Sequence, residues 1–219
     1  MGEGLSSPSD LLERLGERCR FPAGAEPLNC AVSGGADSLA LLVLARHTGR
    51  EVTAIHVDHG LRPGSQDEST VVEAAAARFG ARFESRTVEV GPGPNLEARA
   101  RAARYRVLPE DVLTGHTADD QAETVLLQLL RGGALDALAA MRPERRPLLG
   151  LRRRETEALC AGLGLEPVDD PSNRDPRFRR NRVRREVLPL LEEVFERDPV
   201  PLLARSAGLA RDEVDLLES

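Results

Sequence analysis

Between residues 27 and 130, a strand-like run gives way to a helical stretch about four times over. That alternation restricts the chain to parallel βαβ units, in which a crossover helix returns each strand to the same sheet direction. Pro27–Val32, Glu51–Val57, Arg82–Val88 and Asp111–Thr114 read as the strands. Leu39–Ala45, the alanine-rich Asp67–Phe79, Asn95–Val107 and Ala118–Leu130 read as the helices, the last with Val125, Leu126, Leu129 and Leu130 at helical spacing. The expectation is an α/β domain with a doubly wound parallel sheet over residues 1–141, preceded by an amphipathic helix from Asp10 to Cys19. Residues 142–219 break the rhythm and form a smaller, arginine-rich, mainly helical extension. Within it, Glu155–Leu163 is helical, Glu166–Pro176 is loop, and Arg177–Val194 is a charged helix interrupted at Pro189. Pro199–Leu217 is a final amphipathic helix.

Composition removes several classes of function. Aromatics are 3% of the chain, with no Trp and one Tyr, so the core is aliphatic and a base-stacking platform is not expected. All 30 basic residues are arginine. Without lysine there is no Walker-type GxxxxGK[ST] loop and no Schiff-base chemistry. Cys19, Cys30 and Cys160 are widely spaced, which suits small buried thiols better than a disulfide, zinc or iron–sulfur framework. No apolar run approaches the roughly 18 residues of a membrane span, and the polar N-terminus has no signal-peptide pattern, so a cytoplasmic location is expected. The net charge of −6 conceals a basic segment, Arg142 to Arg185, with a surplus of arginine over Asp and Glu. Such a segment suits either a polyanion-binding face or a solvated surface.

The first strand ends in Ser33-Gly34-Gly35-Ala36-Asp37-Ser38, which opens a helix. Glycines allow a phosphate to approach the backbone, the helix start presents free amides, and Ser33 and Ser38 add hydroxyl donors. Asp37 facing a phosphate requires an intervening cation, and Mg²⁺ is the expected one. The residue types also suit a tight structural turn. The position at the carboxyl end of a parallel strand, where such folds bind ligands, favours a phosphate site. His56, Asp58 and His59 follow the second strand at the same sheet edge but complete no metal-ligand spacing, and His47 reads as structural. In Gly115-His116-Thr117-Ala118-Asp119-Asp120-Gln121-Ala122-Glu123-Thr124, Asp119 and Glu123 lie four apart on a helix, with His116 at its start. An acidic cluster there can hold Mg²⁺ or grip a cationic substrate. A histidine after glycine also suits a cap or a buried hydrogen bond.

The loop resembles the SGGxDS signature of the PP-loop ATP pyrophosphatases, which split ATP between the α- and β-phosphates. Further stretches are similar to the tRNA(Ile)-lysidine synthases within that superfamily. These are His56-Val57-Asp58-His59-Gly60-Leu61-Arg62, Asn95-Leu96-Glu97-Ala98-Arg99 through Arg104-Tyr105, the His116–Thr124 block, Asp170-Pro171-Ser172-Asn173 and Arg179-Arg180-Asn181-Arg182-Val183-Arg184. They span about Asn29 to Leu191. The resemblance implies a Rossmann-like PP-loop fold and a ligase that adenylates the wobble cytidine of isoleucine tRNA with a CAU anticodon. Free L-lysine then displaces AMP through its side-chain amine.

By the same resemblance, ATP binds at Ser33, Gly34, Gly35, Ala36, Asp37, Ser38 and the surroundings of His56. Asp37 holds Mg²⁺, and Asp120 and Glu123 hold the lysine. His116 serves the adenylation step and Arg182 stabilises charge, completing a catalytic set of Asp37, His116, Asp120 and Arg182. Arg142, Arg145, Arg146, Arg152, Arg153 and Arg154 look like contacts to the tRNA backbone. A homodimer is compatible with the reading, and no membrane partner is expected. Where the family has RGxGxxGLxGM, this chain has Arg131 to Met141 with Ala134, Ala137 and Ala140 at three glycine positions, which predicts a less mobile backbone. The alternatives are another PP-loop tRNA-modifying enzyme, such as a thiolase, or an idle nucleotide- or tRNA-binding module.

Overall fold

The computed structural model describes residues 7–58, 65–91, 93 and 96–219. The expectations placed on His59, Gly60, Leu61, Arg62 and Asn95 lie outside those residues, as does the side chain of Glu97. In chain order the elements are α1 (Pro8–Gly16), β1 (Leu28–Ala31), α2 (Ala36–His47), β2 (Val52–Asp58), α3 (Ser65–Phe79), β3 (Arg82–Thr87) and α4 (Leu96–Val107). There follow β4 (Leu113–Thr114), α5 (Ala118–Leu129), α6 (Leu135–Leu138), α7 (Arg153–Gly162), α8 (Arg179–Arg182), α9 (Leu188–Phe195) and α10 (Pro199–Leu217). The strands make one parallel sheet of order β3-β2-β1-β4, as the strand–helix alternation predicts. Because β4 lies on the opposite side of β1 from β2 and β3, the direction of winding reverses at β1. The carboxyl ends of β1 and β4 therefore flank a switch-point crevice, the place where open α/β sheets bind ligands.

Burial explains why α2 sits at the centre. Residues Ser38 through Ala45 are all buried, so this helix is apolar around its whole circumference rather than along one stripe. It packs with β1, β2, α1, α3 and α7 in one core that includes Leu39, Leu41, Leu42, Leu44, Val52, Ala54, Leu148, Leu151 and Leu159. Burying each such leucine contributes about 1.5–3 kcal/mol. Along β2, Ala54 points into this core and Ile55 into a separate cluster with Leu108 and Val112, as the two-residue strand period requires. A third cluster joins Ala118, Ala122 and Leu126 of α5 to Val183, Leu188 and Val200. The stretch after residue 141 thus divides between two cores, with α7 on the sheet domain and α8 to α10 on α5.

The charged helix expected over Arg177–Val194 is present in three pieces. The α-helical Arg179–Arg182 runs into a π-helical turn, Val183–Val187, before α9 resumes at Leu188. Pro189 therefore causes no break of its own. It sits in the first turn of α9, where its missing N–H costs little.

The alanine-for-glycine substitutions have distinct local consequences. Ala134 precedes α6 in extended backbone and Ala137 lies within it, but Ala140 has φ 53°, in the left-handed region. A side chain there costs on the order of 1 kcal/mol. Replacing Ala140 by Gly is expected to raise the unfolding free energy by about 0.5–1 kcal/mol. Ala137→Gly is expected to lower it by a similar amount. Denaturant melts of the two variants check this, and equal effects would contradict the assigned backbone.

Candidate active site

Two close approaches fix the crevice. Gly34 has φ +85°, and a Cβ there would meet Val168 Cγ2 at 3.1 Å. Val168 N–H also donates to the Gly34 carbonyl at 3.0 Å, so the segment after α7 lies directly on the loop. At the end of β4, a Cβ on Gly115 would stand 2.5 Å from the Asp37 carbonyl oxygen. Only glycine lets β4 run this close to the first turn of α2. The α2 N-terminus, capped by Gly35 with no side-chain acceptor, leaves its first amides free for an anion. Ser38 Oγ instead braces the loop, accepting from Ser33 N–H at 3.1 Å and donating to the Gly35 carbonyl at 2.8 Å.

The loop opens on a cavity of about 880 Å³ whose walls include Ser33, Asp37, His56, His116, Asp120 and Arg153. Eight sequence-predicted site residues are thereby brought to one place or its rim: Ser33, Gly35, Ala36, Asp37, Ser38, His56, His116 and Asp120. His56 is buried, and its Nδ1 lies 3.0 Å from the Val32 carbonyl. A carbonyl can only accept, so Nδ1 carries a proton, and in the neutral ring Nε2 is an acceptor. That Nε2 is buried with no partner among the described residues. His116 Nδ1 lies 2.8 Å from Thr114 Oγ1. Burial, aided by the Arg146, Arg101 and Arg180 guanidiniums and opposed by Asp120, lowers the His116 pKa to about 4.

One side chain ties the two halves of the site together. Arg153, at the start of α7, reaches Asp37 with Nε at 3.2 Å, Asp120 with Nη2 at 2.9 Å and Glu123 with Nη1 at 3.2 Å. Its backbone N–H donates to Asp119 at 2.8 Å. Arg152 forms a fork on Asp119, with both contacts at 3.0 Å, and also pairs with Asp198. Arg152 and Arg153 are therefore interior counter-ions rather than the tRNA-facing surface expected of them. The reason is electrostatic: α5 buries Asp120 and Glu123 and half-buries Asp119 beside Asp37, and buried charges need partners.

The carboxylates respond differently. Burial raises Asp37 to about 6, against the pull of Arg153 and the Thr156 hydroxyl. For Asp120, burial is overcome by Arg153 and Arg180, and the carboxyl is held well below the usual range. Asp120 Oδ2 also accepts from Thr117 N–H at 2.9 Å and Thr117 Oγ1 at 3.1 Å, capping α5.

Arg182 is not in the site. Its side chain is 60% exposed and pairs with Glu186 one turn on, at 2.7 Å. Arg180 and Arg184 take the place expected of it, with Nε atoms 2.7 Å and 2.6 Å from the Glu123 carboxylate. Helical periodicity carried the signal: Arg180 and Arg184 continue the inward stripe of Val187, Leu188 and Leu191, whereas Arg182 and Glu186 share the opposite face. Thr156 and the arginines of this network went unassigned to the site because composition does not distinguish interior from exposed arginine.

Cys30 and Cys160 are buried, and burial pushes both thiols up to about 12, which leaves them poor nucleophiles at neutral pH. No His, Cys, Asp and Glu grouping suited to a metal without substrate oxygens occurs among the described residues. Nor is any helix among them long and apolar enough to cross a membrane.

A glycine-started helix at a sheet switch point, with Asp37 in its first turn and two carboxylates from α5 beside it, defines a nucleotide-binding α/β protein of the PP-loop type. Residues 10–191 match the family described as the PP-loop domain, and the chain belongs to that family, whose membership implies ATP use. It is 46% identical over 209 residues to a tRNA(Ile)-lysidine synthase of Nocardia farcinica, covering 91% of this chain and 66% of that protein. A tRNA(Ile)-lysidine synthase of Mycolicibacterium paratuberculosis is 48% identical over 198 residues, covering 86% of this chain and 62% of that protein. The chain thus spans less than two thirds of the length of these curated relatives. Among solved structures, the U34-tRNA thiolase NcsA from Methanococcus maripaludis shares the fold, with TM-score 0.67 and 17% identity over 96% of this chain and 79% of that one.

Two measurements check the site. Gly115→Ala is expected to push the α2 N-terminus out of register and weaken binding of an ATP analogue at least tenfold, by calorimetry, with the fold retained by circular dichroism. His116 is expected to titrate near pH 4 by NMR. Because the unfolded chain takes up that proton near 6.5, its contribution to stability falls as pH drops through the window between the two values. A midpoint at 6.5 would contradict the burial assigned to the ring.

Proposed function

We propose that the protein ligates L-lysine to the wobble cytidine of isoleucine tRNA bearing a CAU anticodon, through an adenylated cytidine. The observation that carries this is the Arg153 guanidinium. By bonding Asp37, Asp120 and Glu123 at once, it sets the carboxylate of the phosphate loop within one side chain's reach of the α5 carboxylates. A nucleotide seat and an anionic pair suited to a substrate ammonium are therefore adjacent, as a two-step ligation needs. The similarity to lysidine synthases over most of the chain supports the same reading.

The α2 amides and the Gly34-Gly35 backbone bind the ATP phosphates, and the unpartnered His56 Nε2 offers an acceptor to a nucleobase amine. Asp37 fits a Mg²⁺ held mainly by phosphates. Its oxygens each accept one protein hydrogen bond, from Thr156 and from Arg153, and each keeps a lone pair. Bound there, Mg²⁺ would neutralise charge on the phosphates. In the first step the cytidine ring-position-two oxygen attacks the α-phosphorus and pyrophosphate leaves. In the second, the lysine side-chain nitrogen, deprotonated to the uncharged amine, attacks that ring carbon; the ring carbon–oxygen bond breaks, AMP leaves carrying that oxygen, and the nitrogen loses a further proton. His116, neutral at physiological pH, orients the reacting nucleotide by hydrogen bonding rather than by charge. Asp120 and Glu123 seat the lysine. Arg142, Arg145, Arg146 and Arg154 are left to meet the tRNA backbone.

Incubating the protein with labelled lysine, ATP, Mg²⁺ and the CAU-anticodon tRNA is expected to give lysine incorporation with matched AMP and pyrophosphate release. Asp37→Ala is expected to lower this by at least a hundredfold while keeping the wild-type fold. AMP release without lysine transfer would refute the lysine assignment, and full activity in Asp37→Ala would refute the loop assignment.

A further inference from the structure

The carboxylates read above as the lysine seat have no acceptor capacity left. Glu123 is 0% exposed, and its two oxygens receive four N–H groups from three guanidiniums. Arg184 Nε and Arg153 Nη1 reach Oε1 at 2.6 and 3.2 Å, and Arg180 Nε and Arg184 Nη2 reach Oε2 at 2.7 and 3.1 Å. Two donors on each oxygen fill a carboxylate. Asp120 is equally engaged, with Arg153 and Arg180 on Oδ1 at 2.9 and 3.1 Å and Thr117 on Oδ2. Charge around the seat is matched as well: Asp37, Asp120 and Glu123 face Arg153, Arg180 and Arg184. A substrate ammonium entering here finds neither a free lone pair nor uncompensated negative charge.

The three guanidiniums on Glu123 are not equally held. Arg153 is 19% exposed and fixed by Asp37 and, through its backbone, by Asp119. Arg180 and Arg184 are 35% and 26% exposed and, among the described residues, are held only by Asp120 and Glu123. Both flank the junction where α8 passes into the π-helical turn, a form of backbone that occurs mostly as single turns at functional sites. Arg184 also lines the cavity into which the phosphate loop opens. An anion in that cavity is the one alternative partner of comparable strength for a guanidinium, since bidentate bonds to phosphate match those to carboxylate.

We infer that Arg180 and Arg184 are positioning residues that occupy the cation seat of Asp120 and Glu123 until a polyphosphate in the cavity draws them off, so that lysine binding requires prior nucleotide binding. The inference rests on Asp120 and Glu123 being the lysine seat. The same arginines then serve both states: they satisfy two buried carboxylates in the free protein and meet nucleotide phosphate in the loaded one. Arg153 stays, which keeps the emptied seat ordered while leaving it net negative. Coupling of this kind typically changes affinity about 5- to 150-fold.

The test is lysine binding by calorimetry, without tRNA, in the presence and absence of a non-hydrolysable ATP analogue with Mg²⁺. In the wild type, the analogue is expected to tighten lysine binding at least tenfold. The Arg180→Gln/Arg184→Gln variant is expected to bind lysine with the same affinity in both conditions, and its thermal melt reports that it folds. Equal affinity in the wild type with and without analogue would overturn the exchange, as would an undiminished analogue effect in the double variant. Asp120→Asn separates this from the underlying reading. If lysine binding to the analogue-loaded protein is unchanged in that variant, the seat itself is misassigned and the inference falls with it. If binding is lost there while the wild type shows no coupling, the seat stands and only the exchange is refuted. Absence of lysine binding under every condition would overturn both.

Discussion

Burying several carboxylates at the carboxyl edge of a parallel sheet is tolerable only if cations are buried with them. Here the cation that matters most is Arg153. Removing one member of such a buried pair costs about 3–5 kcal/mol, because the partner is left charged and unsolvated. Arg153 therefore does more than stabilise. It brings α7 against α2 and α5 in one arrangement, and it holds the loop carboxylate and the α5 carboxylates at fixed separation. Arginine suits the task because a planar guanidinium offers five donors in fixed directions, whereas an ammonium is a compact point charge on a flexible stem. A chain whose basic residues are all arginine can build a shared counter-ion of this kind wherever it buries acid.

The network also corrects the inference drawn from charge composition. The basic segment Arg142–Arg185 invites the reading of a continuous polyanion-binding face. Arg152, Arg153, Arg180 and Arg184 are instead matched against Asp37, Asp119, Asp120, Glu123 and Asp198 inside the site. The surface surplus is smaller than the sequence count, and any nucleic-acid contact falls to the exposed remainder, among them Arg145 and Arg154. Local charge sums count residues, but fields depend on which guanidiniums are already paired.

The sheet was legible in the sequence because strand and helix periods are local properties. β1 and β2 end within one residue of their expected positions, and α2 begins at the glycine-rich loop as its amide donors require. The glycine-rich loop that opens α2 was legible for the same reason: six consecutive residues carry it. Pairing across distance was not. Arg153 lies 116 residues from Asp37, and no spacing rule links them. The inward turn of Arg180 and Arg184 was half legible, since it follows from extending the apolar stripe of α9 backwards through the π turn. Motif resemblance points to Arg182, which the same helical period puts on the opposite, exposed face beside Glu186.

The small residues show the same division between local and distant causes. Gly34 could be assigned to its turn from sequence, because a positive φ is a property of the loop. The need for glycine at 115 arises from the backbone of α2, which passes so near that even a methyl group would collide with the Asp37 carbonyl. That contact places the β4 end against the α2 N-terminus and sets His116 and Asp120 on the same cavity as Asp37. The spacing between the glycine-rich loop and the α5 carboxylate pair is thus defined on one side by the absence of a side chain and on the other by the reach of Arg153. A shift in either would separate the glycine-rich loop from the α5 carboxylates without unfolding the sheet, because neither contact belongs to the leucine core around α2.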